Sequence, residues 1–496
     1  MALVRWLCRE YCRQGYVTVA LQQAAGQGKL KVIEWLVEHH RLVIWTDECA
    51  NAAASGGHVP VLEWFLSHGV LSSEWINTPL RNACSEGHEE VVEWLLAHGS
   101  AALEESLNNA IAFGHVDIAK RLVEHFGARA VFPMVARRVA AAHNRVDVLE
   151  WLQDLLPEGM GSTSIMDMAA AQGHMEALVW LHENRSDGCT TSAMNDAAAN
   201  GHLEIVQWLH ENRSEGCTAD AMNAAAANGH LEVVKWLHEN RSEGCELDAI
   251  DRAAVDGHLE VIQWLHENRT EGCTFRAANN ASHHGHFDTL KWLHENRPEK
   301  ATVMGMTLAA SNGHLEIIQW LHENLGRGCT ANAPVLAAEG GHLDVLKWLH
   351  ANIELEWSTS VMDAASTLPV LQWLHDNRIE GCSTRAMDDA ASRNQFDKVL
   401  FLQQHYPGVG CTPEAAYFAV ENDNIEMFLW LFHNHRDQVD MQSLREFSKK
   451  HWLPIFELVD PTRVELIQHD EESVQEDELE ESNVTPLVSV ELVCRY

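Results

Sequence analysis

Apolar residues recur along this chain at the spacing of short amphipathic helices. In one representative stretch, the segment 193–199 is rich in alanine, and the segment 203–212 carries Ile205, Val206 and Leu209 on one helical face. Asn200-Gly201-His202 separates the two segments, and Asn-Gly tolerates the left-handed backbone that a tight turn requires. The pattern therefore predicts two short helices joined by a turn. No segment alternates apolar and polar residues for long enough to predict a strand.

This helix pair is repeated many times. A Gly-His turn leads, six residues later, to Trp-Leu, and the tryptophans of six successive copies are 28 residues apart: Trp208, Trp236, Trp264, Trp292, Trp320 and Trp348. A fixed period of this length indicates small units that bury their apolar faces against one another. We therefore predict an all-α solenoid of stacked helix-turn-helix repeats. Because indoles are large, we expect each of these tryptophans to be buried between copies.

The repeat also predicts the organisation of the chain. Residues 1–14 form a truncated half repeat, 15–440 an array of about fifteen units, 441–468 a capping segment with a helix over 445–457, and 469–496 an acidic tail without structure. The half repeat leads us to expect either a further piece upstream or an unusual beginning of the array. The array is irregular near 121–160, where Arg121 replaces tryptophan and Asn144-Arg145 replaces Gly-His, and near 357–372, where the turn is missing. We expect looser packing in both places.

The charge balance narrows the class of partner. There are 35 basic and 72 acidic residues, a formal net charge of −37. This charge repels phosphate backbones and anionic lipids and attracts a basic surface, so we expect no nucleic acid and no membrane partner. The chain has neither an 18-residue apolar run nor the leader of a secretory signal at its N-terminus. We therefore expect a cytoplasmic or nuclear protein.

The cysteines and histidines also follow the repeat. Cysteines occur nine residues after successive tryptophans, at Cys189, Cys217, Cys245, Cys273 and Cys329. Helices stacked about 8–10 Å apart cannot bring equivalent Cα atoms within the roughly 7 Å that a disulfide needs, so we expect free thiols. Zinc needs ligands that converge on one point, whereas His210 and Cys217 are seven residues apart within one unit. We expect no metal or other cofactor, and turn histidines that hydrogen-bond to the neighbouring turn.

Every candidate nucleophile recurs at the same position in several repeats, whereas a protein normally has one active site. We therefore expect that this protein is not an enzyme. Two alternatives stay open. One is a metal- or redox-responsive protein that uses the histidine and cysteine positions, and the other is an enzyme whose catalytic domain precedes this sequence.

One segment resembles a known repeat family. Thr78-Pro79-Leu80, then Gly87-His88, then Val91-Val92 and a leucine pair before Gly99 resembles the ankyrin repeat, and the likeness extends over nearly all of residues 15–435. The resemblance implies a scaffold for protein–protein contacts, without catalytic residues. The period is 28 residues instead of the 33 of the family, and the shortening falls where the family has its β-hairpin finger, which implies reduced or absent fingers. The short, tryptophan-rich form is similar to ankyrin-like families of oomycetes and giant viruses.

Two sets of residues are candidates for partner contact. The first set varies between otherwise near-identical units, before or on the first helix, and we expect it to bind a protein or peptide, basic in character, on a concave first-helix face: Leu247, Asp248, Arg252, Phe275, Arg276, Asn280, Val303, Met304 and Leu308. Neutral drift on a solvated face would produce the same variation. The second set is a series of polar residues on the first helix that either link adjacent loops or line a peptide groove: Asn51, Asn108, Asp167, Asn195, Asn223, Asp251, Asn279, Asp363 and Asp388.

Overall fold

The computed structural model describes residues 14–39, 46–71, 77–99, 103–127, 133–155, 162–326, 328–422 and 424–451. Within these ranges the chain is helical and contains no strand, as the pattern predicts. The chain divides into two compact units, Met1–Ala277 and Ala278–Tyr496. The expected half repeat, except its last residue, and the acidic tail lie outside the described residues.

Helices occur in pairs, numbered here as repeats 1–15. Repeats 1–9 are Gln14–Gly26 with Leu30–His39, Asp47–Ser55 with Val59–Ser67, Asn77–Glu86 with Glu89–Ala97, Leu103–Phe113 with Val116–Phe126, Pro133–Ala142 with Val146–Leu155, Thr163–Ala171 with Met175–Asn184, Thr191–Ala199 with Leu203–Asn212, Ala219–Ala227 with Leu231–Asn240, and Asp248–Ala253 with Leu259–Asn268. Repeats 10–15 are Phe275–His284 with Phe287–Asn296, Val303–Ser311 with Leu315–Leu325, Ala333–Glu339 with Leu343–Asn352, Thr359–Asp363 with Leu368–Asn377, Thr384–Ser392 with Phe396–His405, and Pro413–Glu421 with Ile425–Asn434. A short 3-10 helix, Arg436–Gln438, and the helix Met441–His451 follow.

Repeat 7 shows why the sequence folds in this way. Thr190 caps the first helix, because its hydroxyl accepts a hydrogen bond from the backbone N–H of Ser192. Gly201 has a φ of +76°, which other residues rarely adopt, and a Cβ there would lie 2.6 Å from the His230 ring of repeat 8. Both the backbone conformation and the close contact therefore require glycine. The helix pair predicted for this stretch is confirmed.

Small residues form the contact between consecutive first helices. Ala197 and Ala198 in repeat 7 are completely buried, as are their counterparts Ala225 and Ala226 in repeat 8. Side chains without bulk let helix backbones approach closely, and Val206 of the second helix completes the core beneath them. The core therefore consists of alanine, methionine and branched aliphatic side chains.

The tryptophans pack against the neighbouring copy, as expected, but they are less deeply buried than expected. The indoles at this position, among them Trp180, Trp208, Trp236 and Trp264, are only partly buried. Because part of each indole stays exposed, the ring lies at the margin of the second helix. There the ring of His182, from repeat 6, packs edge-on against Trp208 of repeat 7, with centroids 5.1 Å apart.

Turn histidines link several repeats to the repeat before them, as predicted. His58 Nε2 donates to the Gly26 carbonyl oxygen at 3.1 Å, and His88 Nε2 to that of Ser55 at 2.8 Å. In the second unit, His342 Nε2 reaches the Ser311 carbonyl at 3.2 Å. Because the last carbonyls of a helix have no partner within that helix, each histidine satisfies an acceptor that its neighbour leaves open.

The irregular turn of repeat 5 keeps this link. Arg145 stands in the histidine position and donates from Nε and Nη2 to the Ala112 carbonyl at 3.1 and 3.0 Å. Asn144 replaces glycine and adopts a φ of +56°, which asparagine tolerates better than most residues. The looser packing expected here is therefore absent at this turn, because the guanidinium spans the same gap as the imidazole.

An arginine–carboxylate pair occupies several of the linkers in which the family would carry a finger. In the linker after repeat 7, Arg213 Nη2 pairs with Glu215 Oε1, and the same arrangement joins Arg241 to Glu243 after repeat 8. Arg213 Nη1 also lies 3.5 Å from His182 Nδ1 of repeat 6. The linker is therefore held by charge-assisted hydrogen bonds in place of a β-hairpin.

Repeat 13 is shortened, and substitute groups close the gap. Its first helix, Thr359–Asp363, has five residues, and the Ser366 backbone N–H donates to the Ala338 carbonyl at 3.0 Å. From repeat 14, Lys398 Nζ donates to the Ala365 carbonyl and, at 2.8 Å, to Gln395 Oε1. Lys398 is only 4% exposed although it takes a position that is aliphatic in most repeats. The looser packing expected here is again compensated.

The C-terminal helix begins earlier than the sequence predicts. It runs over Met441–His451, where Asp440 Oδ1 accepts from the N–H groups of Gln442 and Ser443. Leu444 is completely buried, which fits the predicted capping role. The remainder of the predicted helix, 452–457, lies outside the described residues.

The linker pairs make the stability of the array sensitive to acid. The Arg213 guanidinium lowers the pKa of the Glu215 carboxyl from 4.5 to about 2, so this carboxylate stabilises the fold above pH 4.5 and loses that contribution as the pH falls towards 2. We expect Glu215→Gln to lower the free energy of unfolding at about pH 7, by at most about 3 kcal/mol. Urea titrations at neutral pH and near pH 2 measure the difference. It should vanish at the lower pH, and the exposed Glu211→Gln should change little at either; a constant difference would contradict the ion-pair role.

Lys398 makes stability rise with pH as well, but in the alkaline range. Burial lowers the pKa of its ammonium group from 10.5 to about 8, so the charged form is a cost below pH 8 that is relieved as the pH rises to 10.5. Relative to Lys398→Met, the wild-type chain should therefore gain about 2–3 kcal/mol between about pH 7 and about pH 10. Denaturant unfolding at both pH values measures this gain. The exposed Lys347→Met serves as the control and should show none; an equal shift in both variants would exclude burial of Lys398 as the cause.

Candidate functional site

The variable first-helix positions expose apolar side chains at the start of helices. In the first unit Leu247 is 52% and Phe275 is 51% exposed, and these residues occupy equivalent positions of repeats 9 and 10. In the second unit Val303 and Met304 of repeat 11 are 43% and 46% exposed. Most large apolar side chains of the chain are buried in the core, but these are exposed at matching positions. They therefore mark a surface to which a partner can bind.

In repeat 11 the cap explains why Val303 and Met304 face solvent. Thr302 accepts a hydrogen bond from the Met304 N–H at 3.2 Å, which starts the helix at Val303 and turns Gly305 and Met306 towards the core. The first-turn side chains are then left on the outer side. Leu308, which belongs to the predicted set, differs because it is partly buried.

The polar members of the predicted set have partners of their own. Asp248 Oδ2 pairs with Arg252 Nε at 2.7 Å within one helix. Arg276 has an exposed side chain, and its backbone N–H donates to the Thr274 hydroxyl at 3.1 Å. Asn280, in the second unit, is partly buried. The apolar members are thus the stronger candidates for direct contact.

The polar series on the first helices links adjacent repeats. Asp167 accepts from the N–H and hydroxyl of Thr190 at 2.7 and 2.8 Å. Asn195 accepts from the Thr218 N–H and donates its amide N–H to the Thr218 hydroxyl, both at 2.9 Å. Further links of this kind join Asn223 to Glu246, Asp251 to Thr274, Asn279 to Thr302, Asp363 to Ser383 and Asp388 to Thr412. The linking interpretation is therefore confirmed for these residues, and their hydrogen-bonding capacity is largely used within the array.

The cysteine positions do not favour redox chemistry. Nine described cysteines are free thiols, and burial raises the pKa of Cys189, Cys329 and Cys382 to about 11. A thiol with a raised pKa stays protonated at neutral pH, and the protonated form is a poor nucleophile and metal ligand. No group of three or more potential ligands converges in the described ranges. Nor does any helix described here have the length and apolar character needed to cross a bilayer.

The outward face of the second helices carries a feature that the sequence analysis missed. In repeat 7 the partly exposed Trp208 has the exposed carboxylates of Glu204 and Glu211 four residues before and three residues after it. Residues at these spacings share one face of a helix. The constant Glu-Trp-Glu spacing was the available signal, but the tryptophan had been assigned to the core.

Two family models match the chain. The model described as ankyrin repeats (many copies) matches residues 166–210, 196–238, 250–294 and 281–322, and the model described as ankyrin repeats (3 copies) matches 21–105 and 49–133. Together the matched stretches, 21–133, 166–238 and 250–322, cover more than half of the 496 residues. None of the curated proteins matches the chain.

Ankyrin repeats generally mediate protein–protein interaction, and proteins built from them are typically non-enzymatic scaffolds. The stacked helix pairs and both family models agree, and the chain belongs to the ankyrin repeat family.

Proposed function

We propose that this protein is a non-enzymatic scaffold that binds a protein or peptide through the surface of its first helices. The observation that supports this most directly is the exposure of Leu247 and Phe275 at matching positions of consecutive repeats in the first unit. Apolar anchors of this kind contribute most of the binding energy in protein interfaces when a partner covers them. Val303 and Met304 offer the second unit an anchor of the same type.

The charge of the same surface favours a basic partner. Asp196, Asp220 and Asp256 are exposed on or just after the first helices of repeats 7–9. Burial and, secondly, the carboxylate of Asp167 raise the pKa of Asp196, and the second contribution reflects the negative potential of neighbouring carboxylates. Together with the net charge of −37, this potential attracts basic proteins and repels acidic ones.

Two finer proposals accompany this function. The free cysteines fit a reducing compartment, so we place the scaffold in the cytoplasm or nucleus. The 28-residue spacing from Trp208 to Trp348 groups these repeats with the short ankyrin-like repeats of oomycetes and giant viruses.

The anchor residues provide the test of this function. Partners that co-purify with the wild-type chain are identified by mass spectrometry, and their affinity is then measured directly with purified proteins. The double variant Leu247→Ser/Phe275→Ser should weaken binding of a first-unit partner at least about tenfold, because a covered apolar anchor contributes about 1–2 kcal/mol or more.

A matched control removes exposed apolar groups elsewhere. Leu66 and Leu400 lie on second helices and are 38% and 48% exposed, and Leu66→Ser/Leu400→Ser should leave binding unchanged. Circular dichroism confirms that each variant folds. If the anchor variant binds every partner as tightly as wild type does, the first-helix surface of the first unit is not the binding site.

A further inference from the structure

The second helices of the first unit present a regular outward surface that the first-helix proposal does not use. In repeats 6–9 a partly exposed tryptophan lies between two exposed glutamates, and we call this surface the indole–carboxylate face: Glu176, Trp180, Glu183, Glu204, Trp208, Glu211, Glu232, Trp236, Glu239, Glu260, Trp264 and Glu267. The expected role of these tryptophans in the core leaves their exposure unexplained.

The geometry repeats at a short and constant distance. Within each helix the two carboxylates and the indole share one face, because they are separated by four and three residues. The second helices of repeats 7 and 8, Leu203–Asn212 and Leu231–Asn240, pack against each other, as do those of repeats 8 and 9. Helices packed side by side lie about 8–10 Å apart, so one indole with two carboxylates recurs at roughly that interval.

The negative charge of this face is almost uncompensated by the chain itself. Among the second helices of repeats 6–9, the only lysine or arginine is Lys235, whose Nζ pairs with Glu232 Oε1 at 2.7 Å. Each of the other carboxylates on the face is exposed and lies beside an aromatic ring. An aromatic face together with a carboxylate is the combination that binds guanidinium and ammonium groups best in proteins.

Two contacts within the chain show cations beside the carboxylates and aromatic rings of second helices. In repeat 4, Arg121 takes the place of the tryptophan, and its guanidinium pairs with Glu93, the residue before Trp94 on the second helix of repeat 3. In the second unit, Lys291 Nζ lies 3.6 Å from the ring centroid of Phe287, four residues earlier on the same second helix. An arginine or lysine from another chain would combine these two kinds of contact on the indole–carboxylate face.

We propose that the indole–carboxylate face binds a basic segment of a partner protein, with lysine or arginine at every third residue and a polyproline II conformation. That helix has three residues per turn and rises about 3.1 Å per residue, so every third side chain points the same way at intervals of about 9 Å. This interval matches the spacing of about 8–10 Å between packed second helices. Each basic side chain then lies over one indole and between two carboxylates.

The charge and the spacing of the face favour a basic polyproline II segment over other ligands. A nucleic acid or an anionic lipid surface is repelled by two carboxylates per repeat. A basic α-helix with a cation on every turn places these cations about 5.4 Å apart, so only every second one would lie over an indole. The proposal is independent of the anchor residues Leu247 and Phe275, which lie at the start of first helices.

Two synthetic peptides of identical composition test the spacing. One has arginine at every third position and proline elsewhere, over fifteen residues; the other has the same five arginines in one block followed by proline. Affinity for the full chain is measured by isothermal titration calorimetry at about 0.15 M salt, where long-range attraction is screened. We expect the periodic peptide to bind about tenfold more tightly than the block peptide and to change the tryptophan fluorescence.

Matched variants test the location. Glu204→Gln/Glu211→Gln/Glu239→Gln removes three charges from the face, and Asp196→Asn/Glu246→Gln/Asp256→Asn removes three exposed charges from the first-helix side of the same repeats. The first variant should weaken binding of the periodic peptide about tenfold and the second less than about twofold. Leu247→Ser/Phe275→Ser should leave this binding unchanged, so either proposal can fail alone. Equal weakening by both charge variants, equal binding of both peptides, or no binding of the periodic peptide would overturn the proposal.

Discussion

The hydrogen bond from a turn histidine to the last free carbonyl of the preceding first helix is the contact on which the array depends. A helix end leaves carbonyl groups without partners, and a buried group of this kind is costly unless a neighbour supplies a donor. His58, His88 and His342 supply it across three different junctions. Since each repeat satisfies the helix before it, a single helix pair in isolation leaves its own carbonyls unpaired and its alanine face exposed. The contacts between adjacent repeats therefore stabilise the array more than the contacts within one repeat do.

This constraint explains which departures the array accepts. Arg145 replaces a turn histidine because a guanidinium donates to the same carbonyl from a longer side chain. In the shortened repeat 13 the link is divided between the Ser366 N–H on one side and Lys398 on the other. Lys398 reaches the Ala365 carbonyl from a buried position, and this burial lowers the pKa of its ammonium group. In each case the chemistry of the donor changes while the acceptor keeps a partner.

Features decided within a few residues could be predicted from the sequence, whereas features that depend on the neighbouring repeat could not. The helix pair of repeat 7, its Asn-Gly turn and the role of the turn histidines follow from local pattern, because backbone geometry and capping are decided within a few residues. The depth of burial of Trp208 could not be derived, since periodicity tells which side of a helix a residue is on but not how closely the neighbouring helix approaches. The Arg213–Glu215 pair was missed because a linker has no hydrophobic period to reveal it. Of the predicted anchor set, Leu247 and Phe275 are exposed as expected, whereas Leu308, one turn further into its helix, is partly covered. Their role in binding remains a prediction.

Because the junctions are nearly identical, such a chain can gain or lose whole repeats during evolution. Repeats 7 and 8 carry almost the same second helix, LEIVQWLHEN against LEVVKWLHEN, and equivalent links to their neighbours. Duplicating or deleting one whole copy therefore creates a junction of the same kind as the one it interrupts, with every donor and acceptor still matched. Modular growth of this sort lengthens or shortens the docking surface in steps of one helix pair, without requiring a single compensating point mutation.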